Sequence, residues 1–286
     1  MQMIAVMLGL VSALCWGLHD LAVRRIAPAS NGLGPNVLGQ ILVVMAVATV
    51  VLLPFGGAGV AGLSGTSILY AALAGVAYVA ASVGMYRAFG LAPARVVSPM
   101  LAAYPLLSLL IASAQGQAIT ASDWAAVVII VAGVCVVALL AQDEGAPAGS
   151  ARAALIWAAI GSAGFAVTFA FGQAASQGDA PLSAGLVTRF AALAVILTLI
   201  MVQRPSMQPV RLHWRLLLVM GVLDTAALGL VMLAGGYPRA EFASVAASLF
   251  GVVTILLAWA VLGERVRGPQ WLGIGLVFGG IGWLAL

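Results

Sequence analysis

A chain of 286 residues that is 64% hydrophobic and only 7% charged cannot hide its apolar surface inside a water-soluble fold. Every basic side chain is Arg, and the formal net charge of +4 lies between the apolar runs, so it reads as a membrane-topology signal and excludes a nucleic-acid patch. The excess of Ala, Gly and Val with no Lys suits a GC-rich bacterial gene and places the chain in the bacterial inner (plasma) membrane.

Apolar runs of spanning length, about 20 residues each, fall at 3–23, 36–54, 66–90, 93–114, 124–141, 153–174, 182–202, 213–235, 240–262 and 270–286. No strand-like alternation appears and lipid forbids unpaired backbone, so the spans are helices. Met1 to Leu18 lacks a basic start and a small residue before Cys15, so it reads as the first span rather than a signal peptide. Turn chemistry separates the spans: Pro28 with Asn31-Gly32, Gly56-Gly57, Ala92-Pro93, Gly116 to Thr120, Gln142 to Gly149, Gln177-Gly178-Asp179, Pro205 with Pro209, Tyr237-Pro238 and Gly268-Pro269. Cys15 and Cys135 sit inside apolar runs without metal or redox spacing and read as packing residues.

The second half repeats the first. With Trp124 on Trp271, Gly75 meets Gly221, Gly90 meets Gly236, Ala94-Arg95-Val96-Val97-Ser98 falls on Ala240-Glu241-Phe242-Ala243-Ser244, and Gly133-Val134 falls on Gly280-Ile281. Five spans per half is an odd number, so the halves, 1–145 and 150–286, enter the membrane in opposite senses. The expected fold is an all-α polytopic membrane protein, ten transmembrane helices as two inverted five-helix repeats. Inverted repeats are the architecture of secondary transporters, with the solute at their interface.

Ionisable groups within spans are costly and mark pathways. Asp224, about halfway along the eighth span, must be protonated, paired or facing water; it either serves proton coupling or fixes two helices through Thr225 or an Arg. Tyr78 is its counterpart in the first repeat. In the first span, His19 is placed on the cavity, and Asp20 is expected to pair with Arg24 four residues on. Tyr78, Ser82 and Tyr86 recur every four residues on the third span; Ser98 and Tyr104 add polar groups from the fourth, Thr168 from the sixth and Ser244 from the ninth. Trp16 and Phe165 hold matching positions and read either as paired aromatic walls or as core. Such a lining suits a small amphipathic solute. Arg189 is read as structural or snorkelling, with a substrate carboxylate as the alternative, and Glu241 and Glu264 as helix N-terminal charges. Gly275 and Gly279 form a GxxxG in the last span, read as packing within a monomer, with a dimer seam as the alternative. The cavity is expected between spans one, three, four, six, eight and nine, with five and ten outside.

The order Ala88-Phe89-Gly90-Leu91-Ala92-Pro93-Ala94, Ser98, Pro105-Leu106, Gly116-Gln117 and Gly133-Val134, with its second copy Ala234-Gly235-Gly236-Tyr237-Pro238-Arg239-Ala240, Ser244, Leu262-Gly263-Glu264 and Gly280, resembles the repeat of the drug/metabolite transporter superfamily, EamA-type members above all. Trp16-Gly17 and Arg189 fit the same pattern. The chain departs from it at Gln117, where the family has Glu, at Gly251, where it has Pro, and at Gln40, aligned with Arg189. The resemblance implies ATP-independent export or exchange of small metabolites, often amino acids. No Walker A, HExxH or GxSxG motif is present, so no enzyme, metal or cofactor is expected. Three readings of function stand: a proton-coupled secondary exporter using Asp224 or His19, an uncoupled facilitator or exchanger, and a non-transport component such as a lipid flippase accessory subunit.

Charge and resemblance disagree on orientation. Arg24, Arg25, Arg87, Arg95, Arg152, Arg204, Arg211, Arg215, Arg265 and Arg267 fall on one side of the expected topology, and only Arg239 in a loop on the other. The positive-inside rule therefore puts both termini outside, whereas the resemblance puts them in the cytoplasm.

Overall fold

The computed structural model describes residues 2–27, 36–114, 120–140, 150–176, 180–234 and 241–284. The turns expected at Pro28 with Asn31-Gly32, Gly116 to Ile119, Gln142 to Gly149, Gln177 to Asp179 and Tyr237-Pro238 lie outside the described residues, as do Gln117, Arg239 and the side chains of Glu241 and Ser244. Twelve α-helices are described: α1 Gln2–Ile26, α2 Val37–Gly56, α3 Gly65–Leu91, α4 Ala94–Ala102, α5 Tyr104–Ala114, α6 Ala121–Leu140, α7 Ser150–Ala175, α8 Pro181–Gln203, α9 Gln208–Ala234, α10 Glu241–Ser248, α11 Phe250–Leu262 and α12 Gly268–Leu284. They make ten spans, because α4 with α5 forms the fourth and α10 with α11 the ninth. Six helices, α1, α2, α3, α7, α8 and α9, are long and apolar enough to cross a membrane unaided. No strand occurs among the described residues.

Local chemistry explains several helix ends. Ser64 caps α3 by accepting the Ser67 N–H at 3.1 Å. At the start of α6, Thr120 and Asp123 cap each other: Asp123 Oδ2 accepts the Thr120 N–H at 2.7 Å, and Thr120 Oγ accepts the Asp123 N–H at 3.2 Å. These bonds hold the Asp123 carboxyl below the usual carboxylate range. The eighth span begins earlier than its apolar run, at Gln208, and bends at His213, whose backbone is non-helical. The Gly56-Gly57 break is not open loop: a 3-10 turn, Gly57–Gly62, carries the chain onward.

The fourth and ninth spans break at repeat-related positions. Ala103 (φ −77°, ψ 6°) and Leu249 (φ −66°, ψ −5°) leave the α-helix together, each N–H reaching back three residues, to Met100 O and Ala246 O. In the fourth span Pro105 has no N–H to continue the ladder. In the ninth the place of Pro105 is taken by Gly251, and the break persists. A Cβ on Gly251 would stand 3.0 Å from Ala102 Cβ and 3.1 Å from Ser98 O, so the two broken spans cross at their breaks.

The helix contacts with the most residues run between repeats: α3 with α7 and α8, α1 with α9, α10 and α11, α2 with α8 and α9, α4 and α5 with α7, α4 with α11, and α6 with α12. Taken span by span, with α4–α5 as the fourth and α10–α11 as the ninth, exchanging the repeats maps this set onto itself, as a two-fold axis in the membrane plane requires. Small residues allow the approach; Gly84 lies against the backbone of Trp157 and Gly161. The outer face is apolar, with Val50, Phe55, Met201, Val202, Trp259 and Leu272 exposed, as a lipid-facing surface should be. The GxxxG expectation needs correction. Gly275 and Gly279 meet open space among the described residues, and the last span packs through Gly280, against Ile130 and Ala126 of α6.

Candidate functional site

A cavity opens where the two repeats meet, lined by Trp16, His19 and Asp20 of α1, Tyr78 and Met85 of α3, Tyr104 of α5, Phe165 and Phe169 of α7, Asp224 of α9 and Phe250 of α11. These are spans one, three, four, six, eight and nine; the fifth and tenth contribute nothing to it. The volume open to the centre of a water molecule is about 30 Å³, room for roughly two waters. The central side chains thus nearly fill the space between the repeats.

Asp224 sits on the cavity wall but is not a free carboxylate. Arg189 Nη2 stands 2.7 Å from its Oδ2, and both side chains are almost wholly buried. Tyr78 donates its hydroxyl to Oδ1 at 2.8 Å and Trp16 its indole N–H at 3.3 Å. Of the readings open for Asp224, pairing with an Arg is the one this geometry has: a cation and two donors stand beside the carboxylate. Thr225 is not its partner; that hydroxyl bonds back to Gly221 O and across to Ala48 O. Arg189 does not snorkel. Its guanidinium lies 4.6 Å over the Tyr78 ring, behind Asp224 as seen from the cavity. The ion pair is close but poorly aligned, and Arg189 Nε and Nη1 have no hydrogen-bond partner among the described residues.

Repeat symmetry builds this cluster. Tyr78 and Asp224, counterparts in sequence, touch each other across the interface. Phe250 is the counterpart of Tyr104, and each ring meets an aromatic side chain of the opposite repeat: Phe250 meets Trp16 at 6.2 Å, and Tyr104 meets Phe169 at 5.1 Å. Phe165 stands on Tyr78 at 6.3 Å as Trp16 stands on Asp224, so two phenyl rings of α7 divide the work of one indole. The pairing of Gln40 with Arg189 fails. Thr188 and Ala191 pack on Gly75 as Val44 and Val47 pack on Gly221, which makes Met45 the structural counterpart of Arg189.

The sequence profile of the EamA-like transporter family matches the chain twice, over residues 3–139 and 152–286. The chain belongs to the EamA-like transporter family. It is a multi-pass membrane protein of a family of small-solute transporters. Comparison with curated proteins finds no match. A crystal structure of another protein matches with a TM-score of 0.63 at 17% identity, over 98% of this chain and 96% of that one. That likeness shows the shared fold.

In this EamA-like chain, the cavity gathers Trp16, His19, Tyr78, Tyr104, Phe165 and Asp224 from the expected residues and leaves Ser82, Tyr86, Ser98 and Thr168 out of its lining. Ser82 and Tyr86 are buried away from it, because each four-residue step turns about 40° past a full helical turn. Met85, seven residues from Tyr78, keeps the same face instead. Ser98 is fully buried without a hydrogen-bond partner among the described residues, beside the crossing at Gly251. Thr168 is buried and bonds to Gly164 O and Ala74 O, tying α7 to α3. For Ser244 only the backbone is described.

The expected Asp20–Arg24 pair is also replaced. His19 Nδ1 lies 3.1 Å from Asp20 Oδ1, both buried on the cavity wall. Arg24 turns outward, donating to Glu264 Oε1 at 2.7 Å and to Phe89 O at 2.7 Å. Glu264 Oε2 accepts the Ala94 N–H at 2.8 Å, so this carboxylate caps α4, not the last helix, whose first turn is held by Gln270. One cluster thereby joins the ends of spans one, three, four and nine on the arginine-rich side. Sequence reasoning missed Asp20, Phe169, Phe250 and Met85. Phe250 was within reach, since the repeat alignment puts it on Tyr104.

Proposed function

We propose that the chain is a secondary transporter that exports or exchanges small metabolites, amino acids or related amphipathic solutes, across the bacterial plasma membrane, with protons carried on the His19–Asp20 pair. The observation that carries this reading is the Tyr78–Asp224 contact between repeat-related positions, set in an aromatic cavity at the inter-repeat seam. Solute sites of inverted-repeat transporters lie at such seams. Charge balance supports His19–Asp20 as the proton carrier. Asp224 is matched by Arg189, whereas no arginine pairs with Asp20 among the described residues. Asp224, Tyr78 and Tyr104 face the pair across the cavity, and one proton changes its net charge by one.

Export requires the cavity to open first towards one side and then the other. The repeat-related breaks in the fourth and ninth spans supply matched hinges for that motion. The arginine distribution supports termini outside the cell, and the monomer is the working unit of this reading. A second reading, an exchanger without protons, is favoured by the Arg189–Asp224 pair, since a solute carrying both charges can take the place of each partner in turn.

Flux in proteoliposomes separates the two. Wild-type protein should accumulate a subset of amino acids and amines when a pH gradient is imposed. Asp20→Asn and His19→Gln should lose that accumulation about tenfold or more while keeping solute–solute exchange. Accumulation indifferent to the gradient would favour the exchanger, and no flux of any solute would overturn transport.

A further inference from the structure

Among the described residues, every fixed charge on the cavity wall is negative. Asp20 and Asp224 line it, while Arg189, the only guanidinium in contact with Asp224 among the described residues, lies behind Tyr78 and Asp224 and is not part of the lining. Around these carboxylates stand six aromatic rings, Trp16, Tyr78, Tyr104, Phe165, Phe169 and Phe250. Arg189 already covers one face of Tyr78. Phe165 and Phe169 stack at 25°, while Trp16 meets Phe169 at 60° and Phe250 at 74°, so the ring faces turn in more than one direction about one space.

A ring face carries negative quadrupole density and attracts a cation, most strongly where water is excluded. Asp224 has Arg189 beside it, whereas Asp20 has no arginine partner among the described residues, so the acids facing this space outnumber their guanidinium partners. An anion would meet two acidic side chains there, and a neutral solute would bring Asp20 no cationic partner in a poorly hydrated site. We infer that the cavity binds an organic monocation, a protonated or quaternary amine on a small apolar body, with its nitrogen between Asp20 and the aromatic rings. This rests on the transport reading for its biological use and narrows the solute to one whose recognised group is a cationic nitrogen. The cavity as it stands has room only for water, so such a ligand needs a wider conformation.

The test uses three probes on one skeleton: phenethylammonium, 2-phenylethanol and 3-phenylpropionate. Titration calorimetry on the full chain in lipid nanodiscs should find the ammonium bound at least tenfold more tightly than the other two. Asp20→Asn should weaken it about tenfold. Phe169→Leu, which keeps an apolar side chain and removes a ring face, should weaken it about threefold to tenfold. The alcohol or the propionate binding as tightly, ammonium affinity unchanged in both variants, or no binding by any probe overturns the cation site. Counterflow in proteoliposomes distinguishes the two layers of the argument. Ammonium bound but never carried leaves the cation site standing and removes the transport reading. Propionate carried with ammonium unbound does the reverse.

Discussion

The two repeats share a frame and differ in what they put into it. Both break their fourth span at the same position, both set a glycine, Gly75 or Gly221, against the opposite repeat, and both present an aromatic ring just after the break, Tyr104 or Phe250. At the centre the symmetry stops. The first repeat brings Tyr78, Met45 and the His19–Asp20 pair, and the second brings Asp224, Arg189 and two phenylalanines. Under the proposed function, backbone symmetry would serve a motion that runs alike in both directions, and side-chain asymmetry would serve a single binding site that needs no second copy of each group.

The sharpest way to break this comparison is to make the second repeat copy the first at its cation. Arg189→Met, the residue its structural counterpart carries, strands Asp224 as a buried charge and should cost about 3–5 kcal/mol of stability. Thermal unfolding in detergent measures it. Adding Asp224→Asn should recover most of that loss, which a purely packing role for Arg189 would not allow. Next comes the Arg24–Glu264–Ala94 cluster, whose partners are part-exposed. Glu264→Ala removes an ion pair and a helix cap together and should cost about 1–3 kcal/mol.

The crossing of the broken spans tests the shared frame. Gly251→Ala puts a Cβ against Ala102, Ser98 and Phe278 and should cost about 1–3 kcal/mol. A neutral result would mean that the ninth span yields at its break. The smallest effect belongs to the last span. Gly275→Ala should stay within about 0.5 kcal/mol of wild type, while Gly280→Ala, pressed on Ile130, should cost about 1–2 kcal/mol. Equal losses at both would show that the Gly275 face is covered by something beyond this chain.

Much of the frame is legible in the sequence. Ten apolar runs stand apart because lipid tolerates little else, and Gly75 with Gly221, or Trp124 with Trp271, mark the repeat. The breaks within spans four and nine are not legible, since each run remains apolar throughout and Gly251 lacks the proline that flags its counterpart. At the site, residues already conspicuous as polar in apolar surroundings, Asp224, His19 and Tyr78, are found on the cavity. The partners are harder. Arg189 lies more than thirty residues from Asp224 in a neighbouring span, and a small slip in the second-span alignment sets it against Gln40 instead of Met45. Asp20 has Arg24 at helical pairing distance, and only the outward pull of Glu264 and Phe89 O on Arg24 decides against it.

The central claim is that the seam between the repeats is the solute path, and substituted-cysteine accessibility tests it most directly. With Cys15 and Cys135 first replaced by Ala, single cysteines at Tyr104 and Phe169 on the cavity are compared with Val131 and Leu272 on the outer face. A small cationic thiol reagent added to proteoliposomes should label the first two, block flux there, and be slowed by transported solute. Labelling and block at 131 or 272, with 104 and 169 inert and flux intact, would contradict the account.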